Sequence, residues 1–316
     1  MAAVLFLLGI FLIVKGGDWF VDAAGWLAKV SGIPPVIIGA TVVSLATTLP
    51  ELLVSVIAAV EGKTAMAVGN AVGSVNANIG LIMAAAVLWA PAVVRRRELA
   101  PKALLMLVAC LLLWLLSFHG VLTGFGAGVL LVLFGVFLAE NLRGAKQARL
   151  SGEPLPRRRG DLPRNVGKFL LGAAAIIVGA RLLVEHGSTI ARCLGVSEAV
   201  IGVTIVAIGT SLPELVTTVT ALVKKQSELS LGNIIGANII DLTLILSVCS
   251  LLSDGQLPVS RQSVLLDSPV SLLLAALAVL PPLICGRFRR GQGLLLLLLY
   301  GSYLLLVTIG VPLPFL

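Results

Sequence analysis

Charge is scarce in this chain. Only 12% of its 316 residues are Asp, Glu, Lys or Arg, about half the share usual in a soluble domain. With 58% hydrophobic residues and a mean hydropathy of +1.08, the composition is that of a polytopic membrane protein. No polar stretch is long enough to form a second domain, since the longest, about residues 141 to 165, could not bury a core of its own. The four cysteines (Cys110, Cys193, Cys249 and Cys285) form no CxxC, which excludes a thiolate metal motif, and they read as small buried hydrophobes. His119 and His186 fall near span ends and read as interface residues rather than a proton relay. No HExxH, GxSxG or aspartyl pair is present, so the chain reads as no enzyme, and no cofactor is expected. No basic segment precedes the first apolar run, whose first lysine is Lys15, so that run reads as a membrane helix rather than a signal peptide.

What is present is a succession of apolar runs of the length a bilayer core demands. Ten are expected, over residues 2–22, 34–60, 65–89, 99–118, 121–140, 165–186, 198–223, 228–252, 264–284 and 293–312. The net charge of +8 resides in short loops, where it sets orientation and gives no reason to expect a nucleic-acid partner. With the N-terminus outside, the inside loops collect Lys29, Arg95–Arg97, Lys102, the basic residues of the central loop, Lys224, Lys225, Arg287, Arg289 and Arg290. The outside loops then keep only Lys63, Arg192 and Arg261. The expected location is therefore a cell membrane, with the central loop cytoplasmic. No obligate protein partner is evident; the lipid bilayer is the surrounding partner.

Two stretches repeat. GATVVSLATTLPEL (39–52) and GVTIVAIGTSLPEL (202–215) align without a gap at an offset of 163 residues, and GNAVGSVNAN (69–78) lies opposite GNIIGANIID (232–241) at the same offset. Five spans precede the central loop, so the two halves must enter the membrane upside down relative to one another. The expected fold is all-α: ten transmembrane helices in two inverted five-helix repeats, residues 1–141 and 165–316, joined by a basic linker at 142–164.

The repeated stretches carry the chemistry. On a helix, Ser44, Thr47, Thr48, Glu51 and Ser55 share one face, as do Thr210, Ser211, Glu214 and Thr218. A carboxylate in mid-membrane costs roughly 2.5–3.5 kcal/mol, so Glu51 and Glu214 at matched positions are candidates for function. Pro50 and Pro213 lack an N–H and deprive the carbonyls of Ala46 and Gly209 of their helical donors; the kink is expected to loosen neighbouring carbonyls too, including those of Ser44 and Ala207. Asn70, Ser74 and Asn78 form a second stripe, as do Asn233, Ala237 and Asp241. Gly69/Gly73 and Gly232/Gly236 are GxxxG pairs expected to admit close helix neighbours. An all-oxygen donor set suits sodium, calcium or magnesium. Pooled, Glu51, Glu214 and Asp241 could balance one divalent ion plus a proton, or three monovalent ions.

At these residues the sequence resembles the cation/calcium exchanger superfamily, in its sodium/calcium exchanger branch and compact prokaryotic form. TSLPEL and GNIIGAN are similar to that family's two alpha-repeats, and the resemblance covers the whole chain. It implies electrogenic sodium/calcium antiport by alternating access, with sliding of spans 1 and 6 against the core. It implies, too, that Glu51 and Glu214 are the central calcium ligands, with backbone oxygens of Thr47 and Thr210. Thr48, Ser211, Ser74 and the carbonyls of Ser44 and Ala207 resemble the flanking sodium positions, and Asn78 and Asp241 the middle site. The chain departs from the family pattern at Ala46, Thr48, Val75 and Ala237. Ala237 removes a hydroxyl from an expected sodium position, which keeps open a proton/calcium, or other cation, antiporter on the same fold.

Overall fold

The structure is a computed structural model and describes residues 2–91, 93, 95–151, 161–194, 209 and 211–309. The helices are α1 (Ala2–Ser31), α2 (Pro35–Thr47), α3 (Leu49–Val60), α4 (Thr64–Trp89), α5 (Arg96–Leu116), α6 (Gly124–Ser151), α7 (Asp161–Cys193), α8 (Leu212–Val223), α9 (Ser227–Leu252), α10 (Ser263–Cys285) and α11 (Arg290–Ile309). Eight of these described helices are long and apolar enough to cross a bilayer, or nine when α2 and α3 count as one bent span. The chain is thus an all-helical, multi-pass membrane protein. α8 is the described part of the expected seventh span; residues 198–208 and 210 lie outside the described residues.

The breaks follow local chemistry. Gly32 adopts φ +67° after α1, a left-handed stop that glycine takes without steric cost, and Pro34 and Pro35 open α2. α1 and α7 outrun the apolar runs that announced them, because Ala23, Ala24 and Ala28 at one end and the polar turns around 161–164 and 187–193 at the other continue a helix as readily as they leave a hydrocarbon slab. Lys102, expected in a loop, is instead buried within α5, its ammonium donating to the Glu98 carbonyl one turn back at 3.3 Å. Cys110 and Cys249 are buried as expected, whereas Cys193 and Cys285 are exposed, each sitting at the last residue of its helix.

The chain divides into two compact units, and each takes segments from both halves of the sequence: Met1–Pro50 with Arg143–Asn233, and Glu51–Leu142 with Ile234–Leu316. In the first unit, α1 and α7 pack antiparallel along a glycine seam. A Cβ on Gly9 would lie 2.9 Å from the Gly179 carbonyl oxygen, and one on Gly16 would lie 2.8 Å from that of Gly172. Gly9 and Gly172, and likewise Gly16 and Gly179, are 163 residues apart, so the two crossings are reciprocal. Phe20 and Phe169 stack below them at 4.5 Å. Lys224 ties the end of α8 to α1, reaching Asp22 at 2.7 Å and Asp18 at 3.3 Å.

In the second unit α4 and the larger part of α9 form the core: 78% and 83% of their spanning windows are buried, against 39% at most for the other spans. Each contains a π-helical turn, Asn78–Met83 and Ile240–Ile245, at nearly matched positions. α11 seats against α4, with Tyr300 over Gly80 and Gly293 against the Ala84 carbonyl. A short antiparallel ribbon joins β1 (Val121–Thr123) to β2 (Gln256–Pro258), and Val93 bridges Arg287. Residue 256 lies 163 beyond Val93 and residue 124 lies 163 before Arg287. Those partners meet in the ribbon, where Gly124 N–H donates to Gly255 at 2.7 Å.

Candidate ion site

The helix carrying the first acidic motif breaks where the proline requires it. Pro50 offers no N–H to Ala46, and α2 and α3 meet at Thr48 with a bend of 46°. Thr48 has φ −84°, ψ −2°, and its counterpart Ser211 has φ −87°, ψ 8°, so both motif copies turn in the same sparsely occupied backbone region. The ends of the two motif helices also match. Lys63 N–H donates to Ala58 at 2.8 Å, and Gln226 N–H to Ala221 at 2.7 Å, around Gly62 and Lys225, both at positive φ. One expectation fails: the Ser44 carbonyl is not loosened but accepts the Thr48 N–H at 2.9 Å. The irregularity lies one turn earlier, in a π-helical turn over Gly39–Val43. Its second lone pair faces the Thr47 hydroxyl, which donates at 3.3 Å.

In the first unit, Glu214 is 1% exposed. Thr48 Oγ1 donates to its Oε1 at 3.2 Å, while among the described residues Oε2 finds no hydrogen-bond donor. The hydroxyls of Ser211 and Thr218 are buried and likewise without a partner. Thr47 Oγ1 lies 3.3 Å from Asn233 Oδ1, and Asn233 Nδ2 is unpartnered. Thr210 and Ala207 lie outside the described residues.

In the second unit, Glu51 is 1% exposed and its backbone carbonyl accepts Asn70 Nδ2 at 3.2 Å, the same amide donating to Ser55 Oγ at 2.9 Å. Ser74, Asn78 and Asp241 are all buried. Asn78 Nδ2 donates to Asn238 Oδ1 at 3.1 Å, and among the described residues Asn78 Oδ1 has no donor. Asn238 in turn points its Nδ2 at Met106 Sδ, 3.6 Å away. Ala237 is fully buried, so no hydroxyl occupies that position. Among the described residues no three His, Cys, Asp or Glu side chains converge; hydroxyl, amide and carbonyl oxygens make up the rest of each acidic neighbourhood.

The GxxxG expectation holds at one place. Gly232 presses against the Val36 carbonyl and Gly39 against that of Leu229, so α2 and the start of α9 cross backbone to backbone. Among the described residues nothing comes within 4 Å of a Cβ on Gly69 or Gly73; residue 199, the counterpart of Val36, is outside them. Four residues of the second unit escaped the sequence reading: Asn76, Asn238, Asp267 and Tyr303. Asp267 could have been found, since an acid inside an apolar span is itself a signal.

Buried carboxylates, hydroxyls and amide oxygens on broken and π-turned helices form donor sets whose chemistry suits hard cations within a membrane. The chain belongs to the sodium/calcium exchanger protein family, which it matches over residues 1–142 and 165–309. That is a family, and this is a fold, of transporters. The chain is 36% identical over 308 residues to inner membrane protein YrbG of Escherichia coli (strain K12), covering 94% of this chain and 93% of that one. It is 29% identical to the sodium/calcium exchanger MaX1 of Methanosarcina acetivorans, covering 95% and 97%. Among solved structures it is similar to the sodium-calcium exchanger NCX_Mj soaked with sodium and strontium, at 30% identity and a TM-score of 0.83 over 98% of both chains.

Proposed function

We propose that the chain is a secondary antiporter that exchanges sodium for calcium by alternating access, electrogenically, with Glu51 and Glu214 as the charged calcium ligands. The observation that carries the reading is Glu214: a carboxylate 1% exposed whose Oε2 meets no donor among the described residues. Leaving such an oxygen unsatisfied is costly, and a bound cation removes the cost. The backbone oxygens of Thr47 and Thr210 assist the two glutamates; Thr48, Ser211, Ser74 and the Ala207 carbonyl take the flanking sodium positions, and Asn78 and Asp241 the middle one. NCX_Mj, solved with sodium together with strontium or calcium, supports these ions as the cargo. No cofactor enters this reading.

Ten spans in two inverted halves, 1–141 and 165–316, follow from the same proposal, with the N-terminus outside and the 142–164 linker cytoplasmic. The antiparallel pairing of α1 with α7 and the reciprocal glycine crossings support it. The alternative, proton/calcium exchange on the same fold, is favoured by one observation, the buried alanine at 237. Calcium-45 uptake into proteoliposomes loaded with sodium, potassium or choline, with and without a pH gradient, separates the two. Uptake that requires internal sodium is expected; uptake driven by protons alone would transfer the coupling to protonation of the acids.

A further inference from the structure

The ion-facing side of α4 is held in place from behind by a polar cluster on α10 and α11 that none of the expected ligands includes. Asn76 is fully buried and lies between Ser74 and Asn78. At about 100° per residue, positions two apart on a helix point to nearly opposite sides, so Asn76 faces away from its two neighbours. There its Nδ2 donates to the Asp267 carbonyl at 3.2 Å, and the Ser271 hydroxyl donates to its Oδ1 at 2.6 Å. Both functional groups of the amide are engaged.

The carbonyl that Asn76 grips is itself anchored. Asp267 ends the π-helical turn Ser263–Asp267 that opens α10. Its buried carboxylate accepts Ser263 Oγ at 3.1 Å, Gln262 Nε2 at 3.3 Å and Tyr303 Oη of α11 at 3.1 Å. Tyr300, one turn before Tyr303, packs on Gly80 inside the π turn of α4, two residues after Asn78. Two contacts thus fix α4 at this level, one polar at Asn76 and one steric at Gly80. The other half of the chain has no polar counterpart: the positions 163 residues from Asn76, Asp267 and Ser271 are Ile239, Leu104 and Val108.

We propose that Asn76, clamped by Ser271 and the Asp267 turn, is a positioning residue that sets the rotation of α4 and so aims Asn78 and Ser74 into the ion site, on which calcium affinity depends. Asn78 has the most to lose from a rotation. Its Nδ2 is committed to Asn238 and its Oδ1 is free to ligate only while that pairing holds. The inference rests on the proposed transport function and assigns these residues no direct contact with the ion.

The test is calcium-45 uptake against calcium concentration for the wild type, Asn76→Leu, Ser271→Ala and Asn78→Ala, and for the double variants Asn76→Leu/Asn78→Ala and Ser271→Ala/Asn78→Ala, each corrected for protein inserted. Asn76→Leu is expected to raise the calcium concentration for half-maximal uptake about tenfold, the scale of one or two lost hydrogen bonds, with the maximal rate within about twofold. Ser271→Ala is expected to raise it about threefold, and keeps the question answerable if Asn76→Leu does not fold. Because Asn76 acts through Asn78, either change is expected to add little once Asn78 is alanine. Calcium-dependent thermal stabilisation of the purified variants gives the same comparison if Asn78→Ala abolishes uptake. An unchanged calcium dependence in both single variants, or full additivity with Asn78→Ala, would overturn the proposal. A wild type that does not take up calcium would instead remove the transport reading, and this inference with it.

Discussion

Asn70 and Asn233 stand at the same place in the two copies of one motif, 163 residues apart, yet they bond differently. Asn70 closes its copy: one amide donates to both the Glu51 carbonyl and Ser55. Asn233 Oδ1 instead lies 3.3 Å from the Thr47 hydroxyl, while among the described residues its own Nδ2 and the hydroxyl of Thr218, the counterpart of Ser55, go unpartnered. The backbones around them match, from Thr48 and Ser211 to the closing turns at Gly62 and Lys225. A repeated sequence therefore reproduces the local chain path, where proline, glycine and hydroxyl chemistry decide, without reproducing the side-chain bonds. The second copy retains unused polar capacity at Ser211, Glu214, Thr218 and Asn233, which is where a cation or its water has most to offer.

The largest effect should ignore this asymmetry. Glu51→Gln and Glu214→Gln are each expected to reduce sodium-driven calcium uptake by at least about a hundredfold, the scale of losing a buried charge interaction, with insertion intact by detergent gel filtration. Near-normal uptake in either variant would break the account of both copies. The glycines come next. Gly16→Leu must push apart two backbones already in contact and is expected to cost about 1–3 kcal/mol or more of stability. Gly69→Ala meets open space among the described residues and should be neutral or stabilising by up to about 1 kcal/mol. Thermal melts in detergent compare the two.

A smaller effect sharpens the comparison itself. Ser55→Ala strips Asn70 of a partner and is expected to cost about 1–3 kcal/mol, whereas Thr218→Val removes a hydroxyl that bonds to nothing described and should be close to neutral in stability. Equal losses would mean that the two copies are bonded alike in solution. The smallest change expected is from Ala237→Ser, which restores a hydroxyl at a buried position. It should lower the sodium concentration needed for half-maximal exchange by about two- to fivefold, within the worth of one hydrogen-bonding oxygen.

Much of this architecture was legible in the residues. Apolar runs and their breaks announce the spans because a bilayer leaves few alternatives, and the matched TTLPEL and TSLPEL stretches single out Glu51 and Glu214 because a buried acid is costly. Helix ends were less legible: α1 continues to Ser31, since hydropathy reports the slab while helix length depends on alanine, caps and packing. The seam of α1 and α7 had a signal that was passed over, FLLG at 6–9 recurring at 169–172. The π turns in α2, α4, α9 and α10 have no such signature, because they answer to how neighbouring helices fit. Asn76 was hidden for a related reason. Its partners, Asp267 and Ser271, are about 190 residues away along the chain, and no local spacing joins them.

The claim on which the rest depends is that the buried, half-satisfied carboxylate of Glu214 holds the transported divalent ion. Anomalous diffraction from crystals soaked in strontium tests it without relying on transport. A peak is expected within about 2.4–2.8 Å of Glu214 Oε2, slightly beyond the calcium–oxygen range because strontium is the larger ion, and is expected to vanish in Glu214→Gln crystals. Strontium bound elsewhere, with Glu214 Oε2 meeting only water or protein, would contradict the account.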